Sequence, residues 1–227
     1  MSDVEDRLLA LERRLDPAVP TEGGTGVEIL GYGEVSAVLG LESLPGRVLK
    51  RMSGFPDADA ARAYADVVER YVANVRALGV PVVETGLVRL EPERGRHVVY
   101  LVQPRLDPAR LGNAILRRES LDGLKPLLER VLGLVRAVLD ANPERGDGLE
   151  IALDAQLSNW HWPEDAALPT LIDVGTPFTR RGDTLEVGAD LFLRAYPAPM
   201  RWYLRRARAI ESYIDAFFRF DTTVIDL

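Results

Sequence analysis

Two short stretches decide how this chain folds, Asp154-Ala155-Gln156-Leu157-Ser158-Asn159 and Leu171-Ile172-Asp173-Val174-Gly175. Each aspartate ends an apolar, strand-like run, Leu149 to Leu153 in one case and Leu168 to Ile172 in the other. Residues at strand ends project onto the rim of a sheet. The five-residue step from Asp154 to Asn159 and the fourteen-residue step to Asp173 therefore predict three oxygen-bearing side chains on one rim of a small sheet. A carboxylate that orients an attacking hydroxyl, followed by an amide and a second carboxylate that hold Mg²⁺ through hard oxygen ligands, is the set that phosphoryl transfer requires.

Working outward from these stretches, three features of the first half fit the same chemistry. Gly31-Tyr32-Gly33 lies between two β-type runs, Val27 to Leu30 and Glu34 to Leu39. Glycines there let backbone N–H groups approach phosphate oxygens, although a Gly-X-Gly turn also serves as an ordinary hairpin. Lys50 ends the apolar Val48-Leu49 pair of a third run, Arg47 to Met52, and is one of only two lysines, with Lys125, in a chain whose other basic residues are arginine. An edge position would be served equally well by arginine, so the sparing of lysine points to a compact point charge at this site. Glu69 follows Lys50 by nineteen residues, in the helix predicted over Asp57 to Leu78. It stands at helical spacing from Ala65 and Val72, and reads either as a carboxylate near the buried stripe that needs a cation, or as a solvated surface residue.

The remaining pattern organises these motifs. A first helix capped by Ser2 or Asp3 carries Leu8, Leu9, Leu11 and Leu15, and a Pro- and Gly-rich break from Pro17 to Gly26 sets it apart as an appendage. Strands at Val82 to Leu90 and His97 to Val102 complete five, with the single helix inserted among them. Helices at Pro108 to Leu116 and Leu121 to Leu139 follow, the second reading as a buried central helix, then short extended runs and a last helix from about Ala198 to Phe218. The expected class is α+β: residues 1–26 a helix and linker, 27–103 a five-stranded antiparallel sheet with one helix, and 104–227 a mostly helical lobe.

Composition bounds the function. At 227 residues with 47% hydrophobic content the chain can bury a sizeable core, and 28 basic against 35 acidic residues give a net charge of -7 that offers no general attraction to nucleic acid or anionic lipid. No cysteine is present, which removes disulfides, thiolate metal sites and thiol nucleophiles. Met1 to Leu15 lacks the apolar core of a signal peptide, and no stretch reaches about 18 apolar residues. The expectation is a cytoplasmic protein with no membrane insertion.

In this order and near these spacings, Lys50, Glu69, Asp154, Asn159 and Asp173-Val174-Gly175 resemble the protein-kinase-like superfamily, over most of Val27 to Phe220. That superfamily includes protein kinases and the aminoglycoside and choline phosphotransferases. The resemblance implies a two-lobed fold that binds ATP with Mg²⁺ or Mn²⁺ and transfers phosphate to a small-molecule or protein hydroxyl. It assigns Gly31 and Gly33 to the glycine-rich loop and Val38 and Val48 to the nucleotide-facing strands. Lys50 falls to the phosphates, Glu69 to anchoring Lys50, Asp154 to catalysis, and Asn159 and Asp173 to the metal. The hinge falls at Val102-Gln103-Pro104-Arg105, where the Gln103 C=O and the Arg105 N–H would meet adenine, and His161 would lie under the base as a packing residue.

The chain departs from the family at several points. Ala152 replaces the histidine that braces the catalytic loop, Ser36 replaces the third loop glycine, Val174 follows the metal-binding aspartate, and no Ala-Pro-Glu element anchors a peptide-binding segment. These losses favour a small-molecule phosphotransferase over a conventional protein kinase. They also leave open a nucleotide-binding pseudokinase or scaffold and, on the same fold, transfer of AMP; neither the acceptor nor the oligomeric state is specified.

The lysines supply a test. Lys50→Arg should lose most ATP turnover, because a planar guanidinium fork does not replace a compact ammonium between a carboxylate and phosphates. Lys125→Arg, with no motif around it, should stay within about 0.5 kcal/mol of the parent in urea titration. Equal behaviour of the two variants in turnover would remove the special role of Lys50.

Overall fold

A computed structural model describes residues 3–15, 26–32, 36–188, 200, 202, 206 and 209–220. Gly33 and the expected start of the last helix at Ala198 lie outside the described residues. The chain is a mixed α+β protein that divides into two compact units, Met1–Asp66 with Glu84–Arg105, and Val67–Val83 with Leu106–Leu227.

The first unit is built on β1 (Val27–Tyr32), β2 (Ala37–Leu41), β3 (Arg47–Phe55), β4 (Gly86–Glu93) and β5 (Arg96–Pro104), in the order β1-β2-β3-β5-β4. All neighbouring pairs are antiparallel. The register aligns Leu39, Leu49 and Val102 in one row and Val38, Lys50 and Leu101 in the next. Because successive side chains leave opposite faces of a strand, these rows face opposite sides of the sheet. The helix α1 (Asp3–Glu12) covers the first of these faces. Its Leu8 and Leu11, with Leu15 just beyond, join Leu39, Leu41, Leu49, Leu90, Val98, Tyr100 and Val102 in one buried cluster. The expectation of an appendage is corrected: each of these leucines contributes about 1.5–3 kcal/mol on burial, enough to hold a short helix on the sheet.

The contact is locked by a charge. Glu12 is wholly buried, and its carboxylate accepts from Arg51 Nε at 2.6 Å, Arg51 Nη2 at 3.0 Å, Arg96 Nη1 at 3.1 Å and the Tyr100 hydroxyl at 2.6 Å. Arg96 Nη2 also donates to the Glu12 C=O, which caps the end of α1.

The helix α2 (Ala58–Ala77) begins where Asp57 accepts the Ala60 N–H and ends at Gly79, whose φ of +84° lets the Val80 N–H return to the Val75 C=O. Ala61, Tyr64 and Ala65 on its first half are buried in the first unit, and Val67, Val68, Tyr71, Val72 and Val75 on its second half are buried in the second.

The second unit contains α3 (Gly112–Arg118), α4 (Leu121–Ala141), β6 (Leu149–Ile151), β7 (Trp160–His161), β8 (Thr170–Leu171), β9 (Thr179–Arg181), β10 (Thr184–Leu185) and α5 (Ala209–Phe218). The strands form two small sheets, β10-β9-β6 and β7-β8. The segment read as a buried central helix forms α4, which buries the stripe Leu124, Leu127, Val131, Val135 and Val138 and leaves Lys125, Glu129, Arg130 and Arg136 exposed. The run expected as one strand from Val82 to Leu90 becomes β4 only at Gly86, because Pro81 and Val83 are hydrogen-bonded to Leu171 of β8. The predicted helix from Pro108 to Leu116 is split into a 3₁₀ turn, Pro108–Arg110, and α3. At the junction Gly112 lies against the Leu157 carbonyl so closely that a Cβ would collide with it. Among the described residues no helix is long and apolar enough to cross a membrane.

Two variants probe these contacts. Glu12→Ala strands Arg51 as a buried unpaired cation and should destabilise the first unit by about 3–5 kcal/mol in urea titration; a loss below 1 kcal/mol would show that the charge cluster does not hold α1. Gly112→Ala should cost about 1–3 kcal/mol and speed amide exchange at Leu157 to Asn159, since the added methyl must push the backbone apart.

Candidate functional site

The residues that lead into Asp154 are held by their backbone. The Asn142 side chain both donates to the Ile151 C=O and accepts the Ile151 N–H, each at 2.9 Å, as a neighbouring strand would. One residue on, the Ala152 N–H donates to the Phe178 C=O at 2.9 Å and the Ala152 C=O accepts the Tyr71 hydroxyl at 3.0 Å. Ile151, Ala152 and Leu153 are all buried, so the strand cannot shift without breaking packing as well as hydrogen bonds.

The turn after Asp154 is closed by its own side chain. Asp154 Oδ1 accepts the Gln156 N–H at 2.9 Å, an Asx turn, and the Asp154 C=O accepts Trp160 Nε1 at 3.2 Å. A 3₁₀ turn, Leu157–Asn159, follows, with the Asn159 N–H on the Gln156 C=O. The Asn159 C=O accepts the Ile172 N–H at 2.9 Å, and β7 pairs with β8 through Trp160 and Leu171. Asp173 stands next, with Oδ1 accepting the Gly175 N–H at 3.1 Å. A continuous set of hydrogen bonds thus connects the segments that carry Asp154, Asn159 and Asp173.

The charges also converge. Tyr71 is 2% exposed, and its phenol is pushed up in pKa first by burial and then by the negative charges of Asp154 and Asp173. Both carboxylates therefore act on one buried group. Asn159 is buried too, which makes the donor set an amide oxygen and carboxylates, the hard ligands suited to Mg²⁺ together with substrate phosphates. Among the described residues no three His, Asp or Glu side chains gather as a self-sufficient metal cluster.

His161 is buried and packs by backbone pairing with Leu111 and Thr170. Burial lowers its pKa, with Asp107 and Arg110 acting in opposite directions, and its Nε2 has no hydrogen-bond partner among the described residues. Glu69 takes the solvated alternative: it is exposed, because the helix turns roughly 100° beyond the buried Val68. Lys50 belongs to the first unit and Glu69 to the second.

In the first unit the register gathers the predicted nucleotide-facing residues on the face opposite α1. Val38, Lys50 and Leu101 form one row, with Val48 opposite Gln103 in the row two residues along. Lys50 is 8% exposed and Gln103 4%, the latter donating from Nε2 to Thr85 Oγ1 at 3.0 Å. Gly31 follows an irregularity in β1, and a Cβ there would meet no described atom within 4 Å, so internal packing does not demand the glycine. The expectation for Arg105 is corrected. Its N–H donates to the Gly46 C=O at 2.8 Å, continuing the β3–β5 ladder. Its guanidinium pairs with Glu28 at 2.7 and 3.1 Å and holds that carboxyl below the usual range.

Sequence reading missed Tyr71, Asn142 and Gly112. Tyr71 reads as one more apolar residue of the α2 stripe, and only its hydroxyl, costly in a core, sets it apart. Asn142 stands before Pro143 and passes for a turn residue, while Gly112 passes for an ordinary helix start.

No curated protein matches the chain. It is similar to a solved structure of WaaP in complex with acyl carrier protein, at 16% identity over 100% of this chain and 98% of that one, with a TM-score of 0.42. Residues 10–227 match DUF6206, described as a family of unknown function. The chain belongs to that family.

Proposed function

We propose that the chain is an ATP-dependent phosphotransferase of the protein-kinase-like fold, with a hydroxyl acceptor that is more readily a small molecule than a peptide. The observation that carries this reading is the run of hydrogen bonds that joins the Asp154 turn to Trp160 and the Asn159 carbonyl to Ile172, next to Asp173. Under it, Asp154 accepts the hydroxyl proton as the acceptor attacks. Asn159 and Asp173 would hold Mg²⁺ or Mn²⁺, which when bound neutralises charge on the phosphates. Lys50, buried on the face it shares with Val38, Val48 and Gln103, would supply a point charge to the phosphates. The buried His161 fits the packing role implied for it beneath the base.

A second reading, a nucleotide-binding pseudokinase or scaffold, is favoured by one observation: alanine stands at 152, where the family's histidine would brace the catalytic loop. Asp154→Asn separates the two. It should lower kcat by roughly 10²-fold or more while ATP affinity holds, the scale of a positioned acid–base group. Asp173→Ala should remove the Mg²⁺ dependence of ATP binding in calorimetry. Metal-dependent binding with no turnover in the parent protein would select the pseudokinase; equal ATP affinity with Mg²⁺ and with EDTA would sink the metal assignment.

A further inference from the structure

The histidine that would brace the loop of Asp154 is absent, since residue 152 is alanine, yet the peptide at this position is gripped on both sides. We propose that the Tyr71 hydroxyl is the positioning group that holds the Asp154 loop in place, through its hydrogen bond to the Ala152 carbonyl; the proposal rests on the phosphotransfer reading of Asp154.

Three observations support it. Tyr71 is 2% exposed, and a phenylalanine would fill the same volume, so the hydroxyl must justify its own desolvation. Its bond reaches a fully buried carbonyl two residues before Asp154, across the equally buried Leu153, so the restraint is short and has no slack. Burial and then the two carboxylates raise the pKa of the phenol, which favours the protonated form that donates. Tyr71 touches the loop and not the reacting atoms, which makes it a positioning residue and a means by which α2 sets the geometry of Asp154.

The experiment compares the full-length parent, Tyr71→Phe and Val75→Ala, the last a change at a buried α2 side chain that has no hydrogen-bonding group. Amide exchange is read at Gln156, whose N–H closes the Asp154 turn, at Asn159, and at the α4 amides as a reference. Loss of one buried hydrogen bond should speed Gln156 and Asn159 by about tenfold in Tyr71→Phe while α4 is unchanged. Val75→Ala should speed loop and reference amides together. ADP release from Mg·ATP should show a kcat lowered by about tenfold at unchanged KM in Tyr71→Phe. Unchanged exchange at Gln156 and Asn159, or an acceleration shared equally with α4, would overturn the proposal. A parent protein that turns over no ATP would instead remove the phosphotransfer reading, and the exchange result would still decide whether Tyr71 holds the loop.

Discussion

The first unit depends on a carboxylate with no access to water. Burying the Glu12 carboxylate alone in a core of leucine and valine would cost several kcal/mol of desolvation. Two guanidiniums and a phenol surround it instead, and they arrive from two strands that the chain separates widely: Arg51 from β3, Arg96 and Tyr100 from β5. The carboxylate can be satisfied in only one position of α1 over the sheet. Apolar packing would hold the helix at several offsets, since leucines slide over valines at little cost; the charge cluster selects one. The opposite face of the sheet is thereby relieved of any part in the core beneath α1, and it is there that Lys50, Val38, Val48 and Gln103 collect.

The second unit solves a different problem. Asp154, Asn159 and Asp173 lie on irregular backbone, where repeating hydrogen bonds are few, and such segments are ordinarily the least stable parts of a protein. Here the peptides of Ile151, Ala152, Asp154 and Asn159 each have a specific partner: a side-chain amide, a phenol, an indole or the next segment's N–H. The close approach of α3 at Gly112 adds a wall against Leu157. Rigidity of this kind suits a group that must present one oxygen at one place.

Much of this was legible in the sequence, and the line between what was and what was not is physical. The five strands and α2 follow from alternation and from a stripe of apolar residues, whereas the runs before Asp154 and Asp173 form shorter strands than their apolar character suggests, which leaves both aspartates on irregular backbone beyond the strand ends. Glu69 was ambiguous because it sits at the border of the helical stripe, where one residue of rotation decides exposure. The burial of α1 was missed because a helix with one charged and one leucine face looks the same whether it covers its own sheet or waits for a partner. Arg105 was misread because the end of a β-ladder leaves no mark in composition, and its N–H continues the pairing by one residue. Tyr71, Asn142 and Gly112 act through a hydroxyl, an amide and a missing Cβ on partners between 9 and 81 residues away in the chain, and no local pattern encodes such distant bonds.

The Asn142 amide has one further consequence. By joining Ile151 directly, it closes the segment 143–150 into a loop whose two ends meet at the base. Gly146 and Gly148, both at φ +68°, form the turn inside that loop. The entropy of closing a flexible loop grows only slowly with its length, so residues added at this turn would change the cost of joining Asn142 to Ile151 by little. The Asn142 clasp thus makes the turn at Gly146 and Gly148 the place where a tag or reporter would be inserted to label the chain away from Asp154.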